Sequence, residues 1–181
     1  MARETNRDAA RQSRMRHASP SRRGSFLLFF VLTAALVGLD QWTKALVRGH
    51  LQVGGHQVVF PGAFGLTLLY NDGAAFGMLS GRSWLFVVIA VVFLVGAVVI
   101  LARRTRGGYL EVVSLALVAA GAIGNMTDRL VFGRVTDFIE TLFVDFPIFN
   151  VADICVTFGV VLLACLLLFT HRFDGRGEDG R

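Results

Sequence analysis

The sequence predicts an all-α membrane protein, in which four transmembrane helices carry a small β-rich platform on the extracytoplasmic side. Three observations lead there. Of 181 residues, 54% are hydrophobic and only 17% charged, where a water-soluble domain carries about a quarter charged residues. The apolar residues are gathered into four runs, each roughly the 20 residues that cross a hydrocarbon core. The basic residues fall in alternate connections, the pattern that orients membrane proteins. The length suits one compact domain.

Residues 1–24 are polar, rich in Arg, Ser and Ala, and lack apolar periodicity, so a disordered basic cytoplasmic tail is expected there. The membrane domain is expected over 25–170. Its first helix, about 25–47, opens with FLLFFVLTAALVGL and continues through DQWTKALV. A basic stretch before an apolar run also resembles a secretory signal peptide. The run is too long for that, however, no small-x-small cleavage site stands out, and three further runs follow. The second helix, about 84–102, is WLFVVIAVVFLVGAVVILA; the third covers about 109–130; the fourth, about 151–170, contains VADICVTFGVVLLACLLLF. Helices are the natural choice because backbone groups in lipid must be satisfied within their own segment. Between the first two helices, in the loop of about 49–83, HQVVF and FGLTLLY are separated by Gly and Pro and read as small hairpins. GAAFGML after them reads as a short interfacial helix. Residues 171–181 form a second cytoplasmic tail.

Arg3, Arg7, Arg11, Arg14, Arg16, Arg22 and Arg23 crowd the N-terminus, Arg103, Arg104 and Arg106 lie between the second and third runs, and Arg172, Arg176 and Arg181 end the chain. Segment 49–83 has only Arg82, and segment 131–150 only Arg134. Both termini are therefore expected in the cytoplasm, and the two long loops outside. The net charge of +5 reads as a topology signal; no basic folded surface suggests a nucleic-acid partner. Cys155 and Cys165 share one apolar run, too far apart on a helix to pair, so neither a disulfide nor a metal site is expected.

Ionisable residues in membrane segments are costly and tend to mark function. Here they gather at one depth. Asp40 and Lys44, four apart, share a face near the outer end of the first helix. Asp128 and Arg129 close the third, Asp153 lies in the first turn of the fourth, and Asp137 lies in the loop before it, at VTDFIE. Each has a plainer reading. Asp40 with Lys44 reads also as a helix-end ion pair, and Arg129 as a side chain reaching headgroup phosphates. Asp128 fits a structural partner for a neighbouring helix, Asp153 an anion at a helix N-terminus, and Asp137 a surface charge. Asp72, Glu140 and Asp145 read as solvated loop residues, and His50 and His56 stand alone. No serine sits in a GxSxG-like setting.

Two Asp at a water-accessible site of low dielectric cannot both ionise cheaply and tend to share a proton. The ionised one can activate water against an amide while the protonated one assists the carbonyl and the leaving amine. By depth alone, Asp40, Asp128, Asp137 and Asp153 are nearly equal candidates for such a pair. Two other classes compete. A proton- or ion-coupled transporter would need charges spread through the membrane depth, and a structural membrane subunit would need only scattered polar packing residues.

Five blocks, Asp40-Gln41-Trp42-Thr43-Lys44, Asn71-Asp72-Gly73-Ala74-Ala75-Phe76, Gly121-Ala122-Ile123-Gly124-Asn125-Met126-Thr127-Asp128-Arg129, Val135-Thr136-Asp137-Phe138 and Phe149-Asn150-Val151-Ala152-Asp153, resemble the bacterial lipoprotein signal peptidase (signal peptidase II) family. They occur in the family's order from the first helix into the fourth, and the tails lie outside the resemblance. Ala122 stands where a second Gly is common, and Thr127 where an aliphatic residue is common. The resemblance implies a four-helix aspartyl peptidase of the bacterial inner membrane. Such an enzyme cleaves prolipoproteins N-terminal to a diacylglyceryl-modified cysteine, with membrane lipids as further partners and no metal or organic cofactor. It implies Asp137 and Asp153 as the catalytic pair. Asn125, Arg129 and Asn150 match polar residues around the site. Asp40, Lys44, Asn71, Gly121, Asp128 and Ala152 match residues that support the fold or the substrate. A monomer is expected.

Overall fold

The computed structural model describes residues 21–73, 81–103 and 108–174. The basic segment before residue 21, most of GAAFGML, Arg104, Arg106, Arg176 and Arg181 lie outside the described residues. Within them the order is helix α1 (Arg22–His50), strands β1 (His56–Phe60) and β2 (Phe64–Asn71), helices α2 (Ser83–Arg103) and α3 (Tyr109–Phe132), strand β3 (Val135–Thr141) and helix α4 (Val151–Asp174). Among the described residues, four helices are long and apolar enough to cross a membrane.

Helix α1 begins within the stretch expected to be tail, because Ser21 caps it: its Oγ accepts from Gly24 N–H at 3.1 Å. Helix α3 is central and packs against α4, α1 and α2. Far from the sheet, Phe29, Ala97, Leu101, Val112, Leu115, Ala116 and Ala119 close a core between α1, α2 and α3. Small residues bring α3 against α4. A methyl group on Gly121 would collide with the Ala152 carbonyl oxygen and the Val156 side chain, and one on Gly159 would meet Val118 and the Ser114 carbonyl oxygen. Such close backbone approach is how helices associate in lipid, where the hydrophobic effect is no help. The outer faces, such as Val92 and Val95 on α2 and Val160 and Val161 on α4, stay exposed and apolar, as a lipid-facing surface must be.

The strands form one antiparallel sheet in the order β1-β2-β3. HQVVF and FGLTLLY become β1 and β2, turning at Pro61-Gly62. Gly62 has φ 72°, and Ala63 N–H donates to Phe60 O at 3.0 Å; Pro followed by a positive-φ Gly fits a type II turn. Strand β3 corrects the expectation that Asp137 sits in a loop. Gly133 ends α3 in the left-handed conformation (φ 72°), its N–H bonded to Arg129 O at 3.1 Å, and β3 follows two residues later. Val135, Thr136, Asp137 and Phe138 are all buried. With both faces covered, the strand lacks the apolar–polar alternation that would have revealed it. Glu140, also read as a loop residue, lies on β3 and accepts from Thr67 Oγ at 2.6 Å, with His56 Nδ1 at 2.9 Å. The Thr67 bond, aided by His56, holds the Glu140 carboxyl below its usual range despite a small opposing effect of burial.

After β3 the chain doubles back, and Phe149 pairs with Ile139, with N···O distances of 2.7 and 3.1 Å. This places Asn150 and the start of α4 beside the Asp137 end of β3. Val47, Leu68 and Phe138 form a second core that fastens the sheet to the end of α1.

Gly121→Ala should destabilise the protein by about 1–3 kcal/mol, because the clash is with backbone. Gly96→Ala on α2, where nothing lies within 4 Å, should be neutral or stabilising by up to ~1 kcal/mol. Thermal midpoints in one detergent would compare them; equal midpoints would contradict the packing described.

Candidate active site

Every charged group singled out on the helices lies at the sheet end of the bundle. Asp40, Lys44 and Arg48 follow at four-residue intervals and so share one face of α1. Lys44 has no exposed surface. Its Nζ lies 2.9 Å from Asp40 Oδ2, 3.6 Å from Asp128 Oδ2 and 3.0 Å from Asn125 Oδ1. Asp40 is therefore an ion-pair partner, but its other oxygen has a second duty. Oδ1 accepts from Ala152 N–H at 2.9 Å, satisfying a donor in the first turn of α4 that the helix cannot pair itself. Gly124 makes room for this carboxylate, since a methyl group there would lie 2.6 Å from Asp40 Oδ2. Gln41 Nε2 completes the cluster, lying 3.0 Å from Asp40 Oδ2, 3.1 Å from Gly124 O and 3.2 Å from Asp128 Oδ1.

Asp128 faces this cluster and also holds β3, accepting from Thr136 N–H at 2.8 Å through Oδ2. By depth alone Asp128 is as good a member of the reacting pair as a structural partner, and the family resemblance makes it a supporting residue. The geometry commits it to Lys44, Gln41 and Thr136.

Asp153 and Asp137 occupy a second, adjoining layer. Asn150 and Asp153 form a reciprocal capping box at the start of α4. Asn150 Oδ1 accepts from Asp153 N–H at 3.0 Å, and Asp153 Oδ2 accepts from Asn150 N–H at 3.1 Å. Asp153 Oδ1 accepts from Asn125 Nδ2 at 2.7 Å. Asn150 Nδ2 donates both to Asp137 Oδ1 at 2.7 Å and to Asn125 Oδ1 at 3.1 Å. Asp137 Oδ2 accepts from Asn71 Nδ2 at 3.1 Å. The two aspartates are thus joined through Asn150 and Asn125. Lys44 offers only donors, so the Asn125 oxygen has to face it and the Asn125 amide nitrogen has to face Asp153.

Asn71, Asn125, Asp137 and Asp153 border a cavity of about 710 Å³ whose wall is mostly apolar, with Phe86, Ile89 and Phe93 from α2 and Val156 and Phe158 from α4. Ile89 and Phe158 are also exposed on the outer surface of the bundle, so the cavity reaches the lipid-facing side. Arg129 lines the cavity too. It turns inward, not toward headgroups: Nη2 donates to Gly73 O at 3.0 Å, and the guanidinium lies 4.5 Å from the Phe86 ring centre. Its Nε is buried without a partner.

Comparison with known proteins decides the family. The family model described as Signal peptidase (SPase) II matches residues 32–169. The chain belongs to the signal peptidase II family. The lipoprotein signal peptidase of Enterococcus faecalis is 38% identical over 154 residues, which are 85% of this chain and 96% of that protein. That of Symbiobacterium thermophilum is 43% identical over 148 residues, covering 81% and 97%. A solved structure described as a bacterial membrane enzyme, obtained by the in meso method at 2.3 Å, superposes with a TM-score of 0.76 at 32% identity, covering 84% of this chain and 93% of that one.

Set in this peptidase family, the distribution of charge tells against the transport alternative. Among the described residues of α2 and α4, no Asp, Glu, Lys or Arg lies between the sheet end and the far end of the span, so these two helices carry no charged relay. Two residues of this signal peptidase II family member escaped sequence reasoning. Arg48 continues the Asp40–Lys44 stripe and was legible from its spacing. Thr136 stands in a quoted block, but its contacts depend on a strand that the pattern did not reveal.

Asp137 is 2% exposed. Burial and then the neighbouring Asp153 push its carboxyl up from 3.8 to about 6, against opposing hydrogen bonds from Asn71 and Asn150 and the charge of Lys44. The folded state then holds this proton more tightly than the unfolded chain. The resulting stability is fully present below pH 3.8 and lost as pH rises to about 6. The thermal midpoint of the wild type relative to Asp137→Asn should therefore fall across that window and level off above it. A difference that stays flat would contradict the raised carboxyl.

Proposed function

We propose that this member of the family is an aspartyl endopeptidase that removes the signal peptide from prolipoproteins, cutting N-terminal to a cysteine that carries a diacylglyceryl group. The observation that carries this reading is the hydrogen-bonded path Asp137–Asn150–Asn125–Asp153, whose two aspartates border an apolar cavity. The names of the relatives, lipoprotein signal peptidases, supply the substrate class. The apolar wall suits acyl chains, and the polar end suits the peptide.

The two carboxyls titrate as a unit, and the active form holds one proton between them. The ionised carboxylate takes a proton from water as the water oxygen attacks the scissile carbonyl carbon. The protonated carboxyl donates a hydrogen bond to the carbonyl oxygen. When the tetrahedral intermediate collapses, the C–N bond breaks and the amine of the lipidated cysteine leaves with a proton from the pair. Asn125 and Asn150 hold the two carboxyls in register without adding charge. Arg129, which also lines the cavity, adds positive charge beside the pair.

The site belongs at the extracytoplasmic interface of the bacterial membrane, with both termini in the cytoplasm. The seven N-terminal Arg support this orientation. Trp42 and Trp84, 60% and 65% exposed near the sheet end, fit the aromatic belt at that depth.

Asp137→Asn and Asp153→Asn should each fold yet lose cleavage of a synthetic lipidated prolipoprotein by on the order of a thousandfold or more. The same substrate without its lipid should be cut far more slowly by the wild type. Full turnover by either variant would remove the pair, and equal cleavage of both substrates would remove the lipid specificity.

A further inference from the structure

Arg48 lies outside every sequence block that carries the family resemblance. Its Nη1 donates to Thr136 Oγ at 2.9 Å and lies 3.8 Å from Asp128 Oδ1, and its guanidinium carbon lies 4.7 Å from the centre of the Phe132 ring. The side chain is 20% exposed, whereas Thr136 is completely buried. Three elements therefore meet at one guanidinium: the end of α1, the end of α3 and the start of β3. Thr136 immediately precedes Asp137 on β3. Successive strand residues point to opposite faces, so Thr136 faces the Arg48 junction while Asp137 faces Asn71 and Asn150.

We propose that Arg48 and Thr136 are positioning residues for the reaction, a register pin that holds β3 so that Asp137 is presented to Asp153. This rests on the reading of Asp137 and Asp153 as the reacting pair. The bond from Thr136 N–H to Asp128 Oδ2 fixes the strand at one backbone point. Pairing with β2 and the Phe149 bridge also hold the strand, but the β2 pairing is irregular between Leu66 and Leu69, the partners of Ile139 and Asp137, so β3 can still roll locally about its axis there. A second bond, from Arg48 to the Thr136 side chain, removes that freedom. Slippage by one residue would turn the Asp137 side chain to the wrong face. Smaller errors matter as well, because a misplacement of about 1 Å in a reacting group can cost up to a hundredfold in rate. The planar guanidinium suits the task, with several donors held in fixed geometry and a face that lies against Phe132.

The test uses the full chain in lipid bilayers and the synthetic lipidated prolipoprotein, with Asp137→Asn as a reference. Thr136→Val keeps shape, strand preference and the ion cluster but removes the hydroxyl acceptor. It should lower kcat about tenfold and leave KM within about twofold. Thr136→Ser, which restores the acceptor, should recover kcat to within about twofold of wild type. Arg48→Ala, which also gives up the contacts to Asp128 and Phe132, should lose at least as much as Thr136→Val, and the double variant should be no worse than Arg48→Ala, because the Arg48–Thr136 bond is lost only once. If Arg48→Ala does not fold, the Val and Ser pair at position 136 still decides. A wild-type kcat in Thr136→Val beside an inactive Asp137→Asn would overturn the pin and leave the reacting pair standing. Independent, multiplicative losses in the double variant, or a fall in thermal midpoint with no change in kcat, would also overturn the pin. Full activity of Asp137→Asn would overturn both.

Discussion

An ammonium group shut away from water has to be surrounded by acceptors, and the Lys44 side chain organises the sheet end of this bundle for that reason. Its three partners come from α1 and α3: Asp40, Asp128 and Asn125. Each of them carries the constraint to another element. Asp40 reaches the Ala152 N–H and so fixes where α4 begins. Asp128 reaches the Thr136 N–H and so fixes where β3 begins. Asn125, its oxygen committed to Lys44, presents its nitrogen to Asp153. Removing one member of such a buried cluster leaves charge uncompensated, which costs about 3–5 kcal/mol.

The sheet is part of this arrangement. Asp137 and Asp153 stand on different elements, and backbone pairing brings them together. Gly133 turns the chain from α3 into β3 within two residues, and the Phe149–Ile139 bridge returns it to α4. Asn150, at the hinge between that bridge and the helix, is caught from both sides. It caps α4 with Asp153 and donates to Asp137. An Asn serves here because it both donates and accepts; an Asp would place a third carboxylate beside two that already repel one another.

The bundle was legible in the sequence because a helix in lipid must be long, apolar and self-satisfied, which leaves long runs of Val, Leu, Ile and Phe. The β1–β2 hairpin was legible from Pro61-Gly62 between two β-prone stretches. Strand β3 was not, because its first four residues are buried on both faces and mix Val, Thr, Asp and Phe. The site was legible only in part. Depth and spacing gathered Asp40, Lys44, Asp128, Arg129, Asp137 and Asp153, but no periodicity tells which carboxylates are committed to a cation. That depends on contacts between elements distant in sequence, such as Lys44 with Asn125. The choice of Asp137 with Asp153 came from the resemblance. The hydrogen bonds sharpen it: Asp40 and Asp128 are occupied by Lys44 and backbone donors, whereas Asp137 and Asp153 border the cavity.

The central claim is that Asp137 and Asp153 act as one chemical unit. Single-turnover cleavage of the lipidated prolipoprotein by Asp137→Asn, Asp153→Asn and the double variant tests it most directly. A unit predicts that each single substitution costs nearly as much as both together. Losses that multiply in the double variant, or a single variant that cleaves at close to the wild-type rate, would contradict it.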